Sequence, residues 1–331
     1  MILFYRIMRI AFLSNKITVR GTEVNLYDYA DCNETILGNQ SLIITRSYEE
    51  TVRSGSTDSS LDGYKKFTDR FKVEYYANPS DIPAIVARNQ IDVLFIEKAG
   101  KLEDGLIFDC CKTIIHAVFT TREPHGTLYS SISDSLNKNC GTSIPVLPYM
   151  VRVHDTQETL HEQLQIPKDA LVFGSYGGID VYNVEYVKKA VRDIVASDTY
   201  PNIYFIYMCH EPFVSHPNVR FLPASTDMKY KRMFINTCDA MLYARDGGET
   251  FGLACGEFSL CDKPVIARNK EQGTAHLDIL GSDLIGHSSY EELHTILTHW
   301  DTYKKDVSKN GYKRYTPEFV MQNFKEHLAM L

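Results

Sequence analysis

Two periodicities alternate along the chain. Short apolar runs are separated by longer stretches in which apolar side chains return every third or fourth position. In the first half the runs are Arg9 to Leu13, Ser41 to Thr45, Ile91 to Ile96 and Thr113 to Phe119. Runs this short, bounded by turn-forming residues, predict strands buried on both faces. Thr22 to Leu37 predicts a helix stopped by Gly38, and residues 46–62, rich in Ser, Thr, Asp and Gly, predict a mobile loop. The rhythm breaks near residues 140–168, where Gly141, Pro145, Pro148 and Pro167 surround a polar, helix-like piece at 155–164. It then restarts, with strands expected at Ala170–Gly174, Asn202–Tyr207, Val219–Leu222, Ala240–Tyr243 and Pro264–Ala267. Tyr182 to Val195 predicts a helix, and Thr316 to Leu331 a closing amphipathic helix with Pro317 in its first turn.

Strands alternating with helices predict an α/β fold of parallel sheets covered by helices. At roughly 100–200 residues per domain, 331 residues predict two Rossmann-like domains. We expect one over 1–150, a second over 151–315, and a helix at 316–331 that packs back on the first. Open α/β sheets bind ligands beyond the carboxyl ends of their strands, so two of them predict a shared central cleft.

Composition narrows the function classes. The net charge is −7 and neither half is basic, which argues against nucleic-acid binding. Two short basic stretches, Lys65 to Lys72 and Lys229 to Arg232, read as solvated helix faces, with contact to an anionic acceptor or a lipid surface as the sharper alternative. The eight cysteines include no Cys-x-x-Cys pair and several lie in apolar runs. They read as reduced, packed thiols of a cytoplasmic protein, without a zinc site. The apolar start, Met1 to Leu13, is interrupted by Arg6 and Arg9 and is too short for a span of about 20 residues. Met8 already opens a complete strand, so we expect the first seven residues to be dispensable and Met8 to be an alternative start.

The chemistry concentrates between Tyr243 and Phe258, in the run Tyr-Ala-Arg-Asp-Gly-Gly-Glu-Thr-Phe-Gly-Leu-Ala-Cys-Gly-Glu-Phe. A strand ends here and a helix opens near Gly252. The first amides of a helix lack internal partners and carry partial positive charge, so they attract phosphate. Gly247, Gly248 and Gly252 let backbone approach a ligand without a Cβ in the way. Glu249 stands just before the helix, within reach of a group beyond the phosphates, and Glu257 lies about a turn inside it, within reach of a ribose diol. A diphosphate between two sugar-reading carboxylates describes a nucleotide sugar. Two glutamates at this spacing would alone be ordinary surface residues. The whole pattern, continued by Asp262-Lys263-Pro264-Val265-Ile266-Ala267, carries the reading.

These residues resemble the family-4 retaining glycosyltransferases of the GT-B fold, whose donor domain carries Glu, seven residues, then Glu, with Phe-Gly-Leu inside and Pro-Val-Ile after. Glu249, Phe251, Gly252, Leu253, Glu257, Pro264, Val265 and Ile266 match. The resemblance spans most of 165–331 and is weaker over 9–140. It implies that Glu249 contacts the donor sugar and Glu257 the ribose, with Thr250, Phe251, Gly252 and Leu253 lining the donor site. It also implies that a histidine ending a strand of the first domain touches the transferred sugar; His116 takes that role, with His125 as the alternative. The family places an arginine and then a lysine after the first donor-domain strand, to grip the diphosphate. Here the stretch is Phe173-Gly174-Ser175-Tyr176-Gly177-Gly178-Ile179-Asp180. Ser175 stands at the arginine position. Gly174 and Gly177 remain to offer backbone amides, and Arg245 is the nearest substitute cation.

No Asp-x-Asp pair occurs, so the diphosphate is expected to be handled without a metal or other cofactor. The expected activity is transfer of a hexose from a UDP- or GDP-sugar to a hydroxyl of a glycan or glycolipid; retention is implied by the resemblance alone. The competing readings are a non-catalytic binding protein of the same fold, favoured by Ser175, and a nicotinamide-dependent oxidoreductase. The glycine spacing at 174–178 does not fit the oxidoreductase.

Overall fold

The computed structural model describes residues 7–56, 60–270 and 273–331. The expectation about a dispensable start thus concerns a segment of which only Ile7 is described. The chain divides into two compact units, Met1–Met150 with Tyr315–Leu331, and Val151–Arg314.

The first unit holds strands β1 (Arg9–Leu13), β2 (Gln40–Thr45), β3 (Lys72–Tyr75), β4 (Val93–Lys98), β5 (Lys112–Ala117) and β6 (Leu128–Ser131). They form one parallel sheet in the order β3-β2-β1-β4-β5-β6. Alternate residues of each strand face opposite layers. Ala11 and Leu13 join Leu42, Ile44, Ile82 and Ile85 on one face. Phe12 and its register partner Phe95 lie on the other, their ring centroids 5.4 Å apart. That face is covered by α1 (Gly21–Thr35) and by the closing helix, numbered α6 (Pro317–Ala329). Phe324 of α6 meets Tyr29 at 5.4 Å and Phe95 at 5.8 Å.

The second unit repeats the plan with β7 (Leu171–Tyr176), β8 (Ile203–Met208), β9 (Val219–Leu222), β10 (Ala240–Tyr243), β11 (Val265–Arg268) and β12 (Ile285–His287), in the parallel order β12-β11-β10-β7-β8-β9. Its helices include α2 (Glu185–Val195), α3 (Met228–Thr237), α4 (Leu253–Leu260) and α5 (Ala275–Leu280). Val187, Ala190, Val191 and Ile194 turn one face of α2 into a core with Phe173, Phe205 and Leu242.

Two local expectations are corrected, and three strands are added. The loop expected over 46–62 contains helices at Tyr48–Arg53 and Leu61–Arg70, whose serine N-caps, Ser47 and Ser60, accept from Glu50 N and Gly63 N. The helix-like piece at 155–164 is a single turn, His161–Leu164. Strands β3, β6 and β12 escaped the pattern: they are short and lie towards the sheet edges, and β3 carries partly exposed residues. Among the described residues no helix is long and apolar enough to cross a membrane.

Candidate functional site

In the second unit the sheet order reverses between β7 and β10, and the loops leaving those strands meet there. The Asn183 amide donates to the Ala244 carbonyl at 2.9 Å, and the Asp246 amide donates to Asn183 Oδ1 at 2.7 Å. Such a reversal opens a crevice at the carboxyl end of an α/β sheet. The loop after β10 also runs against the loop after β11. The Glu249 amide donates to the Gly273 carbonyl at 2.8 Å, and a Cβ on Gly248 would stand 2.3 Å from that oxygen. Only glycine permits this approach.

The β10 loop enters α4 through Gly252, whose φ of 86° is left-handed. A Cβ there would meet Tyr312 Oη at 2.8 Å and His276 Cβ at 2.9 Å. Among the described residues no side-chain cap bond closes this helix at Gly252, which leaves a helix start of the kind that binds solvent or a ligand. Glu249 stands beside this end. Its Oε1 accepts from Tyr243 Oη at 2.8 Å and from Arg245 Nη1 at 3.1 Å. The side chains of Glu249 and Arg245 remain 21% and 30% exposed, so the pair is held but reachable. Behind it the His276 ring packs on Tyr243 at 4.8 Å. Burial, with Lys270 and Arg245 adding to it, pushes His276 down to about 3, so the ring is neutral.

Of the expected donor residues, Arg245, Glu249, Thr250, Gly252 and Leu253 lie together around the opening of α4. Phe251 joins them through its backbone only, because its ring is buried against Tyr312 at 5.7 Å. Glu257 differs from the expectation. It is 2% exposed, Tyr176 Oη donates to Oε2 at 2.5 Å, and Lys231 Nζ reaches Oε1 at 2.5 Å. The Tyr176 phenol is pushed well above its ordinary value by burial and by Glu257. Lys231 comes from the stretch expected to be a solvated helix face, a reading the structure corrects. Lys229 pairs with Glu158 at the surface, but Lys231 and Arg232 turn inward, Arg232 towards Cys261 Sγ at 2.5 Å.

The β7 residues are also placed differently. Gly174 is needed for packing, since a Cβ there would fall 2.2 Å from Cys238 Sγ of the segment ending α3. Ser175 is 2% exposed, and its Oγ lies 3.2 Å from His210 Nε2. Gly177, half-buried, stays in the loop at the crevice.

His116 lies in the first unit, fully buried on β5. Its Nε2 sits 2.8 Å from the Leu147 carbonyl, its Nδ1 3.5 Å from Glu97 Oε2, and its ring among Phe95, Tyr29 and Tyr149. The ring is enclosed beside Glu97, which accepts from Asn25 Nδ2 at 2.8 Å and Tyr149 Oη at 2.5 Å, while His116 Nδ1 has no hydrogen-bond partner among the described residues. His125 is partly exposed and is held by Lys98 at 2.9 Å. Tyr243, Tyr176, Lys231 and His276 were missed by sequence reasoning. Tyr243 stood in the motif run itself, six positions before Glu249, and Tyr176 next to Ser175, but Tyr176 and Lys231 lie 81 and 26 positions from Glu257, which they touch. Among the described residues no cluster of His, Cys, Asp or Glu could hold a metal ion.

Neither a protein-family model nor a curated protein matches this chain. Solved structures do. Over 98% of its length the chain is similar to HepE of Anabaena, solved in complex with UDP-glucose, with 16% identity, a TM-score of 0.73 and all of that chain covered. A glycosyltransferase of Rickettsia africae shows 14% identity and a TM-score of 0.65, with 98% of this chain and 96% of that one covered. A protein assigned as a UDP-N-acetylglucosamine 2-epimerase of Listeria monocytogenes shows 12% identity and a TM-score of 0.63, with 98% of each chain covered. What this chain shares with all three is its fold, the GT-B fold, which here consists of two Rossmann-like domains, each built on a six-stranded parallel sheet.

Proposed function

We propose that this protein is a glycosyltransferase that moves a hexose from a nucleoside diphosphate sugar, of the UDP or GDP type, to a hydroxyl of a glycan or glycolipid. The observation that carries the reading is the uncapped start of α4 at left-handed Gly252, with Glu249 held beside it by Tyr243 and Arg245. The fold shared with a protein solved with UDP-glucose supports the same reading.

In this reading the second unit is the donor domain and the first the acceptor domain. The amides of Leu253 and Ala254 face the diphosphate, and the helix start stabilises the charge that develops on it as it leaves. Arg245 adds a cation. Glu249 orients the sugar by hydrogen bonds, as an acceptor placed in advance by its two partners. The bond from the anomeric carbon to the phosphate oxygen breaks, and the bond to the acceptor oxygen forms. We assign the acceptor proton to the leaving phosphate on the same face, which gives retention and uses no side-chain base. Handling without metal follows from the lack of an Asp-x-Asp pair in the sequence. Glu257, with Tyr176 and Lys231, shapes the ribose end, and His116 acts as a positioning residue through Glu97.

The test is release of nucleoside diphosphate from UDP-, GDP- and ADP-hexoses, with and without oligosaccharide or glycolipid acceptors, by the full-length wild-type and Glu249→Gln proteins. The expected result is turnover of one donor by wild type and a loss of about 100-fold or more in Glu249→Gln. Equal turnover by both proteins sinks the site assignment. Tight binding of a nucleotide sugar with no turnover favours the non-catalytic reading that Ser175 suggests.

A further inference from the structure

A diphosphate at the start of α4 needs positive charge beside the helix amides, and the β7 position where the resembled family carries arginine is closed. Ser175 is buried there and taken up by His210, itself pushed down to about 4 by burial and therefore neutral. Cations are instead found one and two strands away. Tyr243 pairs in register with Ala267, so the loops leaving β10 and β11 run side by side, Arg245 on the first and Lys270 on the second. Gly248 and Gly273 hold those loops in backbone contact.

Three cations are crowded at this place. Arg268 is paired with Asp246 at 2.6 Å, and Arg245 shares Glu249 with Tyr243. Lys270 makes no ion pair with any described residue and is half-buried. Its ammonium is held below the ordinary lysine value by burial, with Arg268 and Arg245 repelling it and Asp246 attracting it. A half-buried cation without an ion pair, crowded by two paired ones, is an arrangement that a polyanion relieves. A second observation points to the same place. His276, fully buried between Tyr243 and Gly252, has no hydrogen-bond partner for either ring nitrogen among the described residues.

Resting on the nucleotide-sugar reading above, we infer that Arg245 and Lys270 together clamp the diphosphate of the donor from the β10 and β11 side, in place of a grip from the β7 loop. The guanidinium takes two phosphate oxygens and the ammonium acts as a point charge beside it. This moves the counter-charge for the leaving group onto the same loop that positions Glu249.

The experiment titrates full-length wild type, Lys270→Met, Lys270→Arg and Arg245→Met with UDP, GDP and ADP, with the matching nucleosides, and with inorganic pyrophosphate. We expect the preferred diphosphate to bind about 10- to 100-fold more weakly to each methionine variant, with nucleoside binding unchanged and Lys270→Arg close to wild type. Wild-type affinity should also fall in alkaline solution, at a pH below the ordinary lysine range, while Lys270→Arg holds its affinity. A folded Lys270→Met protein that binds the diphosphate as tightly as wild type overturns the clamp. If Lys270→Met does not fold by circular dichroism, the alkaline comparison of wild type with Lys270→Arg decides, and identical profiles overturn it. If wild type prefers none of the diphosphates to its nucleoside, the nucleotide-sugar reading itself fails and the clamp with it. That outcome differs from a clamp failure, in which wild type binds and the variants bind equally well.

Discussion

At the residue scale, the two glutamates of one motif have separate physical lives. Glu249 keeps a fifth of its side chain exposed, whereas Glu257 is enclosed with Lys231, itself 12% exposed. Removing one partner of a buried ion pair leaves the other charge uncompensated. Glu257→Gln is therefore expected to lower stability by roughly 2–4 kcal/mol, near the lower part of the range for such losses. Chemical denaturation of the variant measures this, and an unchanged midpoint would show that Lys231 finds water instead. From sequence alone Glu257 was expected only within reach of a ribose diol. Its enclosure was not legible, because Tyr176 and Lys231, the residues that enclose it, lie 81 and 26 positions away.

At the scale of elements, helix α6 belongs to the core of the first unit although it closes the chain. Val320, Met321 and Phe324 are fully buried, and Phe324 sits against Phe12, Tyr29 and Phe95. Phe324→Ala is expected to cost about 3–5 kcal/mol by cavity formation. Urea unfolding followed by tyrosine fluorescence tests this, and a loss below about 1 kcal/mol would mean that the helix is a peripheral cover. The helix itself was legible from its amphipathic period, its Thr316 cap and Pro317. The small helices at Tyr48–Arg53 and Leu61–Arg70 were not, since Ser, Asp and Gly favour turns and N-caps alike and composition does not separate the two.

At the scale of the whole molecule, one buried carboxyl should shape the response to pH. Glu23, in the first turn of α1, accepts from Ser14, Thr18 and Thr22, and burial, assisted by Glu97, lifts it from 4.5 to about 7. Between those values the folded protein holds a proton that the unfolded chain has released, so stability falls as the pH rises through the window. Glu23→Gln is expected to remove this dependence and to gain up to about 3 kcal/mol at pH 8 relative to wild type, with little change at pH 4. Parallel melting curves of the two proteins at both pH values would refute the assignment.

The sequence by itself determined the fold class and the central elements of both sheets, but not the edge strands β3, β6 and β12 or the two short helices after β2. Buried strands and amphipathic helices announce themselves by period, because each side chain's neighbours along the chain decide which face is apolar. It also determined the strand–glycine–Glu249–helix unit, since a helix start and its preceding turn are local in sequence. Tertiary structure alone decided who touches whom across the sheet. It buried His116 beside Glu97, closed Ser175 onto His210, enclosed Glu257 and brought Lys270 next to Arg245. None of these pairings has a signature in one dimension. Each depends on which strands lie side by side, and strand order is fixed by packing between residues far apart in the chain.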